Sequence, residues 1–499
     1  MVPTILLLYY SSSVSSLFRH RSFAPAFILF CCAVLVLLWL PSLKYPIVSD
    51  SLIYALLGKS LWTTGTYVFE GVPHVKYLPA YPFFAYPFVW LFGITPGMKI
   101  TSLLSGMGVL IAAYALLRRM FTLHIAAGSA ALILFHHGFL VMTMLGSADL
   151  LCTLFFLLSL SCYLQAGKDQ RWYLLCGFFL GLSLLTRYNA VPLLLFYPVY
   201  TFFARRQHII SVWFWTGMLL GGGFFSLWFI RKALLTGSPF SNDYTAEFAE
   251  RSMGTIENAW VNIVYYLDPL KNILPILFLS SLYEIIRRPT FVRPRRTTVG
   301  ERGHPYFLLG AMASVSAIFL VWPVRNLRYL VPGYVILIGF GIAGLFDLTQ
   351  RAGRFKIPLA TAIITGLIVT HALAACLYTY GACNAAFDRT IGGIPKHLGL
   401  ASEGFYAWHL GRQYINVHAE SSATVIDESS VFSPGMFRSD LRVTDDRMTC
   451  PAYKITQKVG TGEEVLFQTE AWPVTYVVRM GCRNLTTLPL TSPPPHRST

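Results

Sequence analysis

Residues 24–43 form the run APAFILFCCAVLVLLWLPSL, which contains no charged side chain. About 20 apolar residues in a helix are enough to cross the hydrocarbon core of a bilayer. The run is too long for the core of a signal peptide, and no small-residue cleavage site follows it before Tyr45. The sequence therefore predicts a retained first transmembrane helix.

The remainder of the chain repeats this pattern. Hydrophobic residues make up 55% of the 499 residues and charged residues only 12%, against about 25% charged in ordinary soluble domains. We therefore predict an all-α polytopic membrane protein with about eleven transmembrane helices. The predicted spans lie near residues 24–43, 100–117, 123–146, 148–166, 172–186, 190–204, 210–230, 273–286, 306–323, 329–346 and 357–379.

The positions of Lys and Arg predict the orientation, because these residues accumulate in short cytoplasmic loops. We place the N-terminus, with Arg19 and Arg21, inside. The alternate loops are then basic, and their cations are Arg118, Arg119, Lys168, Arg171, Arg205, Arg206, Arg287, Arg288, Arg293, Arg295, Arg296, Arg302, Arg351, Arg354 and Lys356. Residues 45–99 and 380–499 are consequently expected on the outer face.

Residues 77–96 present an alternative, because this apolar stretch could also cross the membrane. It contains Pro79, Pro82, Pro87 and Pro96, and a crossing here would move every later Arg cluster to the outside. We therefore interpret it as an interfacial segment of one long outer loop, residues 45–99. An amphipathic helix near residues 51–63 is expected to lie on the membrane surface in the same loop.

The net charge of +16 is explained mostly by this topology, so we predict membrane lipids as partners and no nucleic acid. The Arg-rich loop 287–302 either contacts anionic headgroups or serves only as a topogenic signal. A set of cations on the predicted outer face breaks the trend and needs partners there. These cations are Lys59, Lys76, Arg187, Arg231, Lys232, Arg325 and Arg328.

The tail changes in composition, which divides the chain into a transmembrane region, residues 1–379, and an extracytoplasmic domain, residues 380–499. Short alternating segments at 423–427, 453–459, 464–469 and 474–480 predict a small β-rich or α/β domain. Its Pro- and Ser-rich end is expected to be disordered. An oxidising compartment would permit a bridge such as Cys450 to Cys482, although connectivity is not readable from spacing.

Five ionisable residues lie at predicted helix ends on the outer face: Asp50, Asp149, Arg187, Arg325 and Arg328. Burying a charged side chain at membrane depth costs free energy, so residues of this kind that are present there are candidates for function. A helix-end residue that only reaches towards water is the alternative for each one. One carboxylate with several Arg or Lys residues can supply a base and cations that bind a phosphate.

The outer loop resembles a known family. Residues 50–65 (DSLIYALLGKSLWTTG), 74–82 (HVKYLPAYP) and 90–93 (WLFG) are similar to the first outer loop of GT-C membrane glycosyltransferases. The nearest branch contains the protein O-mannosyltransferases and the lipid A aminoarabinose transferase. Residues 184–187 (LLTR) and 328–332 (RYLVP) are similar to later parts of the same family, so that the resemblance covers roughly residues 24–346.

The resemblance implies a GT-C-like fold, a polyprenyl- or dolichyl-phosphate sugar as donor, and an inverting transfer at the outer face. It places Asp50 at the catalytic acid and Lys76 near the donor phosphate. The candidate set is then Asp50 and Asp149 as catalytic acids, Lys76, Arg187, Arg325 and Arg328 as phosphate ligands, and His74, Tyr77 and Tyr81 as loop residues on the acceptor side.

Two departures from the family pattern leave the use of a divalent metal open. Many relatives have a second acid where Ser51 stands, and the aminoarabinose branch tends to have an acid where Val75 stands. The sugar is not readable, and the acceptor is a protein, a lipid or a cell-envelope glycan. The expected location is a bacterial inner membrane, or the endoplasmic reticulum membrane in a eukaryote.

Two other classes of protein fit the same composition. A transporter or flippase for a lipid-linked or anionic substrate would show matching repeats and broken helices near the midplane. The ionisable residues instead cluster at helix ends on one face, which favours chemistry at the membrane surface. A receptor whose tail binds the ligand is the third alternative.

Overall fold

The computed structural model describes most of the chain in two compact units, Met1–Ser402 and Glu403–Thr499. In the first unit the described residues are 23–44, 49–69, 72–239, 255–266, 274–287, 304–322, 327–350 and 362–373. In the second they are 411–412, 414–416, 418–427, 441–443, 452–456, 458–460, 463–468 and 476–480. The predicted Cys450–Cys482 bridge, the Arg-rich loop 288–302 and Arg325 lie outside these residues.

The described part of the first unit is helical apart from one short hairpin, β1–β2. Its elements are α1 (Phe23–Trp39), α2 (Ser49–Thr64), β1 (Val68–Phe69), β2 (Val72–Pro73), α3 (Ala80–Phe92), α4 (Ile94–Met120), α5 (Leu123–Phe135), α6 (His137–Met144), α7 (Asp149–Gln165), α8 (Trp172–Leu184), α9 (Leu193–Ala204), α10 (Val212–Thr236), α11 (Thr255–Tyr266), α12 (Leu274–Arg287), α13 (His304–Val321), α14 (Val331–Gln350) and α15 (Ala362–Leu373). Single turns of 3₁₀ helix at Leu40–Lys44, Tyr188–Ala190 and Leu327–Leu330, and one short helical turn at Arg206–Ile209, connect them.

Each predicted span overlaps one of these helices. Among the described residues, four helices are long and apolar enough to cross a membrane, at Ala24–Leu43, Ile94–Met120, Val212–Thr236 and Arg328–Thr349. The predicted span 123–146 is two helices, α5 and α6, bent by 56°; they would make a fifth span together. Because the other apolar helices are shorter, the count of eleven crossings stays a prediction.

Exposed leucines lie on the surfaces of α1 and α10. On α1, Leu29 and Leu37 are about two-thirds exposed, and on α10 Leu219 and Leu234 are exposed to a similar or greater extent. Apolar surface of this extent is unfavourable in water and is normal against acyl chains. The apolar helices therefore fit a membrane protein.

Helix packing brings the ends of distant helices together. Helix α8 packs closely on α7 and α10, and α2 and α3 pack on each other and on α4. A Cβ atom at Gly177 would overlap the backbone of Gly217, so these two glycines allow α8 and α10 their close approach. The end of α10 is thereby held near the end of α8 and the turn that follows it.

The second unit contains a five-stranded mixed sheet in its described part. Its strands are β3 (Thr424–Asp427), β4 (Arg442–Val443), β5 (Ala452–Thr456), β6 (Glu463–Gln468) and β7 (Tyr476–Met480), in the order β4-β3-β5-β7-β6. Strand β3 is parallel to β4 and β5, whereas β7 is antiparallel to β5 and β6. Val425, Ile455 and Val477 belong to the core of the sheet. The four predicted strands are present, and β4 is a strand that the sequence analysis missed.

Candidate active site

Asp50 lies in the first turn of α2 and meets residues from two distant parts of the chain. The Tyr77 hydroxyl donates to Asp50 Oδ1 at 2.8 Å. Arg328, in the 3₁₀ turn before α14, places Nη1 3.8 Å from Asp50 Oδ2. The side chain of Asp50 is 35% exposed and that of Arg328 is 22% exposed. An accessible carboxylate therefore lies beside a partly exposed guanidinium.

Asp149 and Arg187 form a second pair. Arg187 Nε lies 3.0 Å from Asp149 Oδ1, and the Asp149 side chain is only 1% exposed. Asp149 begins α7 and Arg187 follows α8, and the close packing of these two helices brings the charges together. This carboxylate is thus shielded from a reactant in the structure, unlike Asp50.

Tyr54, four residues after Asp50 in α2, was not among the predicted site residues. Its ring centroid is 4.8 Å from that of Tyr77 and 5.2 Å from that of Tyr81. Burial raises the pKa of its phenol; the charges of Arg187 and Arg328 oppose this rise, and those of Asp50 and Asp149 add to it. All four charged groups thus act on one phenol. The available signal was the four-residue spacing from Asp50, which places both on one helix face.

The predicted loop residues His74, Lys76, Tyr77 and Tyr81 have different surroundings. His74 stacks on Tyr77 at 5.2 Å, and its Nε2 accepts the Tyr77 backbone N–H at 3.1 Å. The Lys76 ammonium lies 5.9 Å from the Tyr77 ring. Tyr81 is fully buried, and its hydroxyl lies 2.9 Å from Ser102 Oγ. His74, Lys76 and Tyr77 therefore belong to the Asp50 environment, whereas Tyr81 is packed inside the bundle.

Ser51, which stands where many relatives have a second acid, has a structural use. It is buried, and its hydroxyl donates to the Leu145 carbonyl at 2.6 Å. Ser102 Oγ donates to the Ser147 carbonyl in the same turn at 3.2 Å. An ionised Asp or Glu at position 51 has no proton to donate to the Leu145 carbonyl. The serine hydroxyl can make this hydrogen bond.

The hairpin of the outer loop lies against the end of α10, where Arg231 donates to two main-chain carbonyls, those of His74 and Tyr67. A groove of about 480 Å³ runs beside it, lined by hairpin residues and by Leu227, Ile230 and Leu234 of α10. These apolar side chains are more than half exposed. The groove is therefore an apolar surface that borders Arg231 and the hairpin.

The donor atoms that the structure describes at the site do not fit a divalent metal. Each of the two carboxylates lies beside an Arg side chain, and among the described residues no group of three or more His, Cys, Asp or Glu could hold an ion. Divalent metals in proteins are usually held by several such ligands. We therefore assign no step to a metal.

Comparisons with known proteins bear on the family and the fold of the chain. The model of the dolichyl-phosphate-mannose-protein mannosyltransferase family matches residues 78–230, a range that contains Asp149 and Arg187 and excludes Asp50 and Arg328. A direct sequence comparison with curated proteins finds no match.

Two solved structures share the fold. ArnT from Cupriavidus metallidurans, bound to undecaprenyl phosphate, has a TM-score of 0.55 and 14% identity, over 92% of this chain and 98% of that protein. The archaeal oligosaccharyltransferase AglB from Archaeoglobus fulgidus, in complex with an inhibitory peptide and a dolichol-phosphate, has a TM-score of 0.51 and 13% identity, over 72% of this chain and 56% of AglB. The predicted resemblance is therefore confirmed: the chain is similar to GT-C membrane glycosyltransferases, by the mannosyltransferase family model over residues 78–230 and by its fold over most of its length.

Proposed function

We propose that the protein transfers a sugar from a polyprenyl- or dolichyl-phosphate donor to an acceptor at the extracytoplasmic face, with inversion at the anomeric carbon. The observation that carries the proposal is the accessible Asp50 carboxylate, 3.8 Å from Arg328. Residues from the first outer loop and from the turn before α14 meet there, as a site for a membrane-anchored donor requires.

Each side chain has a defined part in the proposed reaction. The acceptor oxygen or nitrogen attacks the anomeric carbon while its proton passes to Asp50. The bond between that carbon and the phosphate oxygen breaks, and the electron pair leaves with the lipid phosphate. Arg328 and Lys76 stabilise the charge of this leaving group. A single displacement inverts the configuration.

The remaining candidates are placed around this step. Asp149 holds Arg187 in the buried pair, and this pair sets the charge around Tyr54. Arg187, whose side chain is 15% exposed, remains a candidate phosphate ligand. Arg325 is retained as a phosphate ligand on its sequence position alone, three residues before Arg328. His74, Tyr77 and Tyr81 remain assigned to the acceptor side of the loop.

Two observations support a lipid-phosphate donor. The similar ArnT and AglB structures contain undecaprenyl phosphate and a dolichol-phosphate, respectively. The apolar groove along α10, with Leu227 and Ile230 in its wall, suits an isoprenoid chain because apolar surface of this kind is favourably covered by hydrocarbon. In this proposal Arg328 binds the phosphate and the apolar groove takes the isoprenoid chain.

The proposed face follows from the predicted topology. Residues 45–99 and 380–499 are placed outside, and the N-terminus and the loop 287–304 are placed inside. Single cysteines introduced at positions 63 and 295 of a cysteine-free variant test this with a membrane-impermeant maleimide. We expect labelling of position 63 from the outside of intact cells, and labelling of position 295 only after the membrane is opened. Labelling of position 295 in intact cells would overturn the scheme.

The activity test uses the purified protein in liposomes with polyprenyl-phosphate monosaccharides, each labelled in the sugar. With a membrane extract added as a source of acceptor, we expect transfer of the labelled sugar and release of the lipid phosphate. Without the extract, we expect slow hydrolysis of the donor. A transporter or flippase, the second candidate, would move the intact labelled lipid between leaflets without cleavage. Movement without any cleaved product would therefore favour that candidate and contradict the proposal.

A further inference from the structure

The end of α10 is joined to the outer loop through one side chain, Arg231. Its Nη1 donates to the His74 carbonyl at 2.8 Å and its Nη2 to the Tyr67 carbonyl at 3.0 Å. These acceptors lie 157 and 164 residues away in sequence. Because a guanidinium offers several N–H donors in a fixed plane, one side chain can hold two points of the loop at once.

Aromatic contacts reinforce this attachment. The Arg231 guanidinium lies 5.5 Å from the Tyr67 ring and 5.1 Å from the Trp228 ring, within the range of a cation–π interaction. Trp228 meets the Tyr67 ring edge-on at 5.7 Å. The indole N–H of Trp228 donates to the hydroxyl of Tyr188 at 3.1 Å. Tyr188 directly follows Arg187 in the sequence. The same helix end thus contacts both the loop and the turn that carries Arg187.

Hydrogen bonds within the loop connect the residues that Arg231 contacts to the Asp50 carboxylate. His74, held by Arg231, accepts the Tyr77 backbone N–H. Tyr67, also held by Arg231, donates its hydroxyl to the carbonyls of Tyr77 at 3.1 Å and Leu78 at 3.2 Å. Tyr77 then donates to Asp50. The position of the Tyr77 hydroxyl therefore depends on two residues that Arg231 fixes.

We propose that Arg231 is a positioning residue, which locks the loop residues 65–79 on α10 so that the Tyr77 hydroxyl orients the Asp50 carboxylate. The proposal rests on the proposed function for its catalytic consequence. Arg231 acts through Tyr67, His74 and Tyr77, and not as a ligand of the donor phosphate. Among the described residues Arg231 has no carboxylate partner. The carbonyl oxygens of His74 and Tyr67, which carry partial negative charge, face its guanidinium instead.

The test compares Arg231→Gln and Arg231→Lys with the wild type and with a matched control, Arg119→Gln. Arg119 also donates to a main-chain carbonyl, that of Ser161 at 3.4 Å, but lies at the predicted inner end of α4. Three quantities are measured on the full-length protein in liposomes: hydrogen exchange of the amides in residues 65–79, affinity for labelled undecaprenyl phosphate, and turnover of the labelled donor.

For Arg231→Gln we expect amide exchange in residues 65–79 to rise about tenfold or more, because two bonds to a charged donor are lost. Turnover should fall about tenfold or more, while the affinity for undecaprenyl phosphate changes by less than about threefold. Arg231→Lys keeps a charged donor group but loses the planar guanidinium that reaches both carbonyls. Its amide exchange and turnover should be intermediate. Arg119→Gln should match the wild type in all three.

Unchanged exchange in residues 65–79 would overturn the proposal. Loss of affinity in proportion to loss of turnover would also overturn it, since Arg231 would then be a phosphate ligand. Arg231→Lys retains the charge and keeps the test decisive if Arg231→Gln does not fold. If the wild type transfers no sugar, the proposed function fails, and the exchange measurement still decides whether Arg231 holds the loop.

Discussion

The site contains two carboxylate–arginine pairs whose environments differ. Asp50 and Arg328 are 3.8 Å apart, with side chains 35% and 22% exposed. Asp149 and Arg187 are 3.0 Å apart, with side chains 1% and 15% exposed. The same residue types therefore form one open pair and one closed pair. Residue type and helix-end position do not by themselves assign a catalytic role, because accessibility separates the two acids.

The physical reason lies in solvation. A buried carboxylate is stable only while its cation stays, so removal of one partner leaves an uncompensated charge. A carboxylate at the surface of the bundle can exchange partners with an incoming reactant. We therefore expect mutations in the open pair to affect transfer most, and mutations in the closed pair to affect folding most.

The largest effect on transfer is expected for Asp50→Asn, which keeps the shape of the side chain and removes the base. Turnover of the labelled donor should fall by about 10² or more, while undecaprenyl phosphate binding persists, since a base acts on the acceptor proton. Single-turnover kinetics and a binding titration on the same preparation measure both quantities.

Asp149→Asn is the matched control for this variant, because it makes the same chemical change in the closed pair. Near-normal turnover of Asp50→Asn would mean that the base lies elsewhere. If Asp149→Asn lost turnover to the same extent at a temperature where it is folded, the distinction between the two pairs would be wrong.

The next effect is expected for Arg328→Gln, which removes the partly exposed cation of the open pair. A hydrogen bond to a charged group contributes about 1.5–3 kcal/mol, so the affinity for undecaprenyl phosphate should fall roughly ten- to a hundredfold. Isothermal titration in detergent or lipid nanodiscs measures it. The same affinity measured for Lys76→Gln tests Lys76, which is the second cation that we assign to the phosphate.

Equal affinity in the wild type, Arg328→Gln and Lys76→Gln would remove the phosphate clamp from the proposal. A decrease only in Lys76→Gln would place the phosphate on the loop side, and Arg328 would then serve mainly to balance the charge of Asp50.

The smallest effect on transfer is expected for Asp149→Asn, and the effect on stability is expected to be larger. Loss of one partner of a buried pair costs about 3–5 kcal/mol, because Arg187 is left without its counter-charge. The double variant Asp149→Asn/Arg187→Met should recover much of this loss. Thermal unfolding of the four proteins of this cycle measures the coupling.

Additive losses in the cycle would contradict the pairing of Asp149 with Arg187. A double variant that regains stability but has lost donor binding would show that Arg187 also serves the phosphate, as the sequence analysis predicts.

Much of the candidate site was predictable because membrane topology restricts it strongly. The alternation of loops predicted that Asp50, Asp149, Arg187 and Arg328 lie on one face. The structure pairs Asp50 with Arg328 and Asp149 with Arg187. The cation count also indicated that Arg231 needed a partner on that face. Its partners were not predictable, since they are main-chain carbonyls, which every residue carries and no sequence pattern marks.

The bend between α5 and α6 and the strand β4 were missed for a different reason. The predicted span 123–146 is apolar on average, and a window as long as a span averages over His136, His137 and Gly138, which lie at the break. Strand β4 has only two residues and exists because it pairs with β3. Both features depend on contacts with neighbouring elements and not on local composition.

The cost of placing polar groups in hydrocarbon acts on composition and residue order, so the sequence alone predicted a membrane protein, its helical segments and the charged residues at helix ends. The pairing of these charges, the exposure of Asp50, the burial of Asp149 and the contacts of Arg231 with the loop came from the tertiary structure. Pairing and burial depend on how helices distant in sequence pack within a few ångströms of one another, and the order of residues along the chain does not encode those distances locally.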